Sequence, residues 1–158
     1  MKTQLYIKSV DSSFFNRPQL GYFIETVFKN FHNLYDFPQL NHNRNEIIRL
    51  LNSQTFHGFI IFYGKYIIGY LLGEVLEYKN MYLYFINYLY ISPVFQNKKL
   101  GSQLLNLAKE YSISQNTQGI GLITDTENDK NLHFYRKHGF QLCEERLYQR
   151  HELYVWMR

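Results

Sequence analysis

Apolar residues recur along this chain with two different periods, and the change from one to the other lays out its elements. Leu20, Phe23, Ile24, Val27, Phe28 and Phe31 fall at i, i+3, i+4, i+7, i+8 and i+11, which is one face of an amphipathic helix. Pro38 interrupts the pattern, and Glu46 to Leu51, carrying Ile47, Ile48, Leu50 and Leu51, predicts a second, shorter helix. Ahead of both, TQLYIKSV has enough β-branched and aromatic residues for a first strand. In the middle of the chain HGFIIFYG, KYIIGYLLGEVLEY and MYLYFINYLYISP predict three neighbouring antiparallel strands, separated by turns at Gly64-Lys65 and Lys79-Asn80. The third run is apolar on both alternating faces. Met81, Leu83, Phe85, Leu89 and Ile91 are expected on one, and Tyr82, Tyr84, Ile86, Tyr88 and Tyr90 on the other. A strand covered on both sides lies centrally in its sheet.

Beyond it, residues 100–114 predict a helix, GIGLITD a strand, NDKNLHFYRKHG a short helix ended by Gly139, and FQLCEERLY and ELYVWMR two closing strands. The path from strand 81–92 through helix 100–114 to strand 119–125 has the length of a right-handed crossover between parallel strands. The order of elements makes a mixed α/β architecture. With 158 residues, 46% of them hydrophobic and 18% aromatic, the chain predicts one domain over 1–158 with a substantial core. The net charge of +4 is spread along the chain as a mild hint of an anionic ligand, with no long basic run. The aromatics sit in apolar strands and are not interleaved with arginines, so no nucleic-acid partner is expected. The single Cys143 excludes an internal disulfide, and without CxxC or HExxH no metal is expected. The start of the chain lacks the apolar core of a signal peptide, and no segment approaches the ~20 apolar residues that span a bilayer. A soluble, cytoplasmic protein without a membrane partner is the expectation.

Candidate chemistry begins at QNKKLGSQLLNLAKEY, residues 96–111. A helix starting at Leu100, with Leu104, Leu107, Ala108 and Tyr111 inward, leaves its first amides without intrahelical partners, just outside the carboxyl end of a central strand. Those donors, the positive end of the helix dipole, and Lys98 and Lys99 would suit a phosphate. A solvated polar turn is the other reading of the same residues. The order K-K-L-G-S is not a P-loop, and Gly119-Ile-Gly121 lacks the third glycine of a dinucleotide fingerprint.

Ser92 to Leu105 resembles the acyl-CoA-binding motif of the GNAT superfamily of N-acetyltransferases, in which a strand leads through Q/R-x-x-G-x-G/A into a leucine-rich helix. Gln96 and Gly101 match its first and last positions and Leu104 and Leu105 its apolar pair, while Lys99 stands where the family has its first glycine. Asn128 through Tyr135 to Gly139-Phe140 looks like the family's N-x(6)-Y-x(3)-G-F segment. The resemblance covers nearly the whole chain. It implies a mostly antiparallel central sheet of about seven strands flanked by about four helices, acetyl-CoA as cosubstrate, and direct attack of a primary amine on the thioester.

By that resemblance Leu89, Tyr90 and Ile91 would give backbone hydrogen bonds to pantetheine and the oxyanion. The amides of Asn97, Lys98, Lys99, Leu100, Gly101 and Ser102 would hold the pyrophosphate, and Gln96, the first motif position, would belong to the same cofactor-binding set. Tyr135 falls on the tyrosine that protonates the leaving thiolate; its alternative is packing on the sheet. Asn128 either contacts the cofactor or caps its helix. Many members carry a glutamate on the central strand, but residues 81–91 contain no acid. Glu74 and Glu77, on the preceding strand, are candidate bases through water, and His133 and His138 titrate in the right range. Asn87 either lines the acceptor pocket or bonds in the core. Cys143 has no histidine partner in view and reads as a structural thiol. The acceptor, a small-molecule or peptide amine, is expected to meet the FHNLYDFPQLNHN connection and the EERLYQRHE turn. ELYVWMR is an edge that could pair in a homodimer, as in relatives by resemblance. The rival function is a catalytically silent acyl-CoA-binding or regulatory module of the same fold.

Overall fold

The computed structural model describes residues 4–148 and 150–158, and of residues 144–148 the backbone alone. Its strands are β1 (Leu5–Asp11), β2 (Phe56–Tyr63), β3 (Tyr66–Tyr78), β4 (Met81–Ile91), β5 (Gly119–Asp125), β6 (Gln141–Tyr148) and β7 (His151–Met157). Its α-helices are α1 (Arg17–Asn30), α2 (Arg44–Leu51), α3 (Leu100–Ser114) and α4 (Asp129–Lys137). The strands form one mixed sheet in the order β1-β2-β3-β4-β5-β7-β6. Among the described residues only β4 and β5 pair in parallel, joined by α3. Among the described residues no helix is long and apolar enough to cross a membrane, and no group of three or more His, Cys, Asp or Glu is placed to hold a metal ion.

Each helix pair covers one face. Phe23, Ile24 and Val27 of α1 and Ile47, Leu50 and Leu51 of α2 form one core with Ile60, Tyr70, Leu72 and Tyr88 of the sheet. Leu100, Leu104, Leu105 and Ala108 of α3 and Leu132 of α4 form the other with Leu71, Tyr84, Ile120 and Leu122. Helix α1 begins before the apolar stripe does. The Asn16 side chain accepts from the Gln19 amide and the Gln19 side chain from the Asn16 amide, a capping box that starts the helix at Arg17. The connection from α1 to α2 winds through two short 3-10 turns, His32–Asp36 and Pro38–Leu40, before Asn43 caps α2.

Two expectations need correction. First, the faces of β4 do not alternate throughout. Leu72 pairs with Tyr88 but Gly73 pairs with Ile86, so Asn87 is an extra residue, a β-bulge. Past it the faces exchange. Tyr84 and Ile86 share the α3 side with Leu89 and Ile91, and Tyr88 and Tyr90 turn to the α1 side. Second, the C-terminal β7 is no edge strand. It lies between β5 and β6, pairing with both, because it covers the full length of β5 from Gly119↔Met157 to Asp125↔His151.

Glu74 of β3 is only 6% exposed and accepts from both terminal guanidinium nitrogens of Arg49, at 2.6 and 3.1 Å. Arg49 also holds Glu46 on its own helix at 2.7 Å. Arg49→Met would leave a buried carboxylate without its partner, and is expected to destabilise the fold by roughly 2–4 kcal/mol, read as a lower urea midpoint at unchanged slope.

Candidate active site

β4 and β5 pair only from Leu83↔Gly119 to Ile86↔Leu122. Beyond the Asn87 bulge β4 stays with β3 as far as Ile91, while β5 stays with β7 as far as Asp125. The two strands therefore splay, and backbone of β4 past the bulge faces a gap in the middle of the sheet. Two cavities meet in that gap.

The larger, about 580 Å³, lies on the α3 side. Its wall contains Leu89, Tyr90, Ile91, Gln96, Asn97, Lys99, Leu100, Gly101, Ser102, Asn128 and Tyr135, together with Lys130 and Lys137 of α4. Of residues 96–102 all but one are thus brought to one cleft, with Leu89 to Ile91, Asn128 and Tyr135. Lys98 is the exception, exposed and outside the wall. The turn reaches α3 through two left-handed residues, Asn97 (φ 62°) and Lys99 (φ 65°). The first helical bond runs from the Gln103 amide to the Lys99 carbonyl, at 3.1 Å. The amides of Leu100, Gly101 and Ser102 are left pointing out of the helix start, and no side chain caps them. Gln96 Nε2 donates to the Ile91 carbonyl at 3.0 Å and ties the turn to the end of β4.

Lys99 thus holds a backbone conformation that glycine adopts without strain. Lys99→Gly is expected to raise stability by roughly 0.5 kcal/mol, because relief of ~1–2 kcal/mol of left-handed strain exceeds the ~0.4–1 kcal/mol that glycine adds to the freedom of the unfolded chain. A small upward shift of the urea midpoint would show it.

The smaller cavity, about 270 Å³, opens on the α1 side. The connection between α1 and α2 forms much of it, through Phe31, Asn33, Leu34, Phe37, Leu40, Asn41 and His42. β4 adds Phe85, Asn87 and Tyr88, α2 adds Glu46, and the ends of β5 and β7 add Asp125 and His151. Asp125 is paired with Arg150 at 2.8 Å. Among the described residues, Asn87 Oδ1 and His151 Nδ1 are buried and have no hydrogen-bond partner. Burial lowers the pKa of His151, so its ring is neutral near pH 7.

Leu89, Asn128, Asn131 and Tyr135 border both cavities. Asn128 caps α4, its Oδ1 accepting from the Asn131 amide at 3.1 Å. Tyr135, on α4, packs edge-on against Phe140, and burial pushes its phenol up to about 12. Glu74 and Glu77 border neither cavity; Glu74 is committed to Arg49, and Glu77 is exposed. His133 is exposed, while His138 Nε2 lies 2.9 Å from the Ser102 hydroxyl behind the larger cleft. Half-buried Cys143 borders neither cavity. Of the EERLYQRHE turn, residues 144–148 are described by backbone alone and residue 149 lies outside the described residues. Sequence reasoning did not single out His42, Tyr88, Glu46, Asp125 or His151 individually, since nothing local distinguishes them; His42 enters only as part of the FHNLYDFPQLNHN connection and His151 only as part of the EERLYQRHE turn.

The model of the Acetyltransferase (GNAT) family matches residues 21–140, which include the splayed strands, the turn and Tyr135. This chain belongs to that family. GNAT proteins of known structure share its fold. Arabidopsis thaliana NAA60 in complex with acetyl-CoA superposes with a TM-score of 0.71 at 12% identity, covering 98% of each chain. The PaiA N-acetyltransferase from Thermoplasma acidophilum in complex with coenzyme A gives 0.71 at 16% identity, covering 98% of this chain and 99% of that one. In sequence, the chain is 38% identical over 66 residues to spermidine N(1)-acetyltransferase of Escherichia coli (strain K12), a stretch that is 41% of this chain and 34% of the relative. The match thus spans about a third of that relative's length.

Proposed function

We propose that this GNAT protein transfers the acetyl group of acetyl-CoA to a primary amine on a small cationic molecule by direct attack. The observation that carries the reading is the meeting of two cavities, one on each face of the sheet, at Tyr135 in the gap between β4 and β5. In the larger cleft the Leu100, Gly101 and Ser102 amides, with Lys99 beside them, are suited to the pyrophosphate. Backbone of Leu89 to Ile91 would pair with pantetheine and donate to the carbonyl oxygen as it gains charge. Tyr135 then gives its proton to sulfur as the C–S bond breaks; its raised pKa keeps the phenol protonated and ready to donate.

The acceptor would enter the smaller cavity. The Asn87 oxygen and the rings of Phe31, Phe37 and Tyr88, together with the arginine-paired carboxylates of Glu46 and Asp125, suit an ammonium-bearing molecule. Spermidine, named for the E. coli relative, and sisomicin, bound to a structurally similar aminoglycoside acetyltransferase, are of this chemical kind. The test is release of free CoA thiol from acetyl-CoA with spermidine, an aliphatic diamine, sisomicin, an amino sugar and a peptide amine. Turnover with a cationic small amine is the expected result. Binding of acetyl-CoA with no thiol release from any of them would make the protein a silent acyl-CoA-binding module instead.

A further inference from the structure

The imidazole of His42 bridges two groups at the back of the acceptor cavity. Its Nε2 is 3.1 Å from the Phe28 carbonyl oxygen and its Nδ1 is 2.8 Å from the Tyr88 hydroxyl. A carbonyl only accepts, so Nε2 carries the ring hydrogen; in the neutral imidazole Nδ1 is then an acceptor, and the Tyr88 hydroxyl donates to it. The Asn87 bulge directs this chain of groups. By exchanging the faces of β4 it turns Tyr88 toward the acceptor cavity, one residue before the Leu89 backbone at the gap.

Resting on the transfer proposed above, we infer that Tyr88 and His42 form the proton relay that deprotonates the incoming ammonium. The ammonium gives a proton to the Tyr88 oxygen while Tyr88 passes its own to His42 Nδ1, leaving an imidazolium still bonded to Phe28 through Nε2. The freed nitrogen pair attacks the acetyl carbon, the C–S bond breaks, and sulfur takes the Tyr135 proton. The second proton shed by nitrogen as it becomes an amide restores Tyr135, and the imidazolium returns its proton to solvent through Tyr88. Tyr88 touches the substrate; His42 acts through it.

The surroundings favour a neutral imidazole at rest. Phe28 and Tyr35 stack on the ring and Phe31 meets it edge-on, and this burial lowers its pKa. The charged groups nearby on α2 are already paired, Arg44 with Glu25 and Glu46 with Arg49. The relay is therefore charged for proton uptake at pH 7 and disabled as pH falls below the ordinary histidine value of ~6.5.

His42→Gln can keep both hydrogen bonds, since the amide nitrogen donates and its oxygen accepts, but it cannot take a proton. With acetyl-CoA and the fastest amine of the panel, kcat/KM at pH 7 should fall about 100-fold, and the deficit should narrow to under tenfold near pH 10, where a primary amine deprotonates itself. Wild type should lose activity at acid pH, below the ordinary histidine value of ~6.5, and the variant should lack that limb. Tyr88→Phe, which leaves His42 tethered to Phe28, should behave alike, and carries the test if His42→Gln does not fold. Wild-type turnover with both variants within about twofold, or a deficit constant with pH, would overturn the relay alone. Absence of wild-type turnover with every amine would overturn the proposed function and the relay together.

Discussion

Gly101→Glu is expected to weaken acetyl-CoA binding at least 100-fold, a loss of about 2.7 kcal/mol, while the folded chain persists. Gly101 lies in the first turn of α3 and in the wall of the larger cleft. Even a Cβ here would come within 3.1 Å of the Phe134 ring, so the rest of a longer side chain is driven into the cleft. Its carboxylate would then occupy the positive end of the helix, where the pyrophosphate is to sit. An acidic residue is tolerated at a helix start, because the dipole favours it there; the loss should therefore fall on the ligand and spare the helix. Gly101→Ala separates bulk from charge. Phe134 has to yield by a few tenths of an ångström for a methyl group, so a loss of a few-fold is expected. Calorimetric titration with acetyl-CoA decides the matter. Undiminished binding by Gly101→Glu would remove the turn from the cofactor site.

The second large effect is expected from Tyr135→Phe, which should lower kcat about 100-fold, within the range typical for loss of a positioned general acid, and leave the KM for acetyl-CoA within about twofold. Tyr135 borders both cavities, and the substitution removes one oxygen without emptying the space its ring fills against Phe140. Because burial favours the uncharged phenol, the folded-state pKa is raised to about 12. The acid form therefore persists as pH rises, and wild type should show no alkaline loss of kcat from Tyr135 through about pH 10. A steady-state comparison of the two proteins checks both statements. An unchanged kcat would mean that the thiolate leaves unprotonated or takes its proton from water, and would return Tyr135 to packing.

The elements themselves are largely legible in the sequence. Period-3.6 apolar faces such as Phe23, Ile24 and Val27 mark helices wherever they pack, because burial of one face is a local demand on residue spacing. The turn proposed for the cofactor is legible for the same reason: Gln96 to Ser102 are neighbours in sequence, and the free amides follow from one helix start. The acceptor side depends on residues far apart. His42 meets Tyr88, 46 positions away, and Arg49 meets Glu74, 25 away. No local pattern encodes such pairs. Glu74 reads as a possible base until its carboxylate is seen held by a guanidinium.

The chain alone, then, determined its strands and helices, its parallel crossover, and the turn whose free amides suit a phosphate, since each follows from short-range spacing and backbone valence. Only the tertiary structure decided that β7 enters between β5 and β6, that one extra residue at Asn87 exchanges the faces of β4, and that the two central strands part beyond Ile86. The physical reason is register. A single unpaired residue reverses the direction of every side chain beyond it, and whether a strand takes up that residue as a bulge depends on what its partners and the covering helices can accommodate.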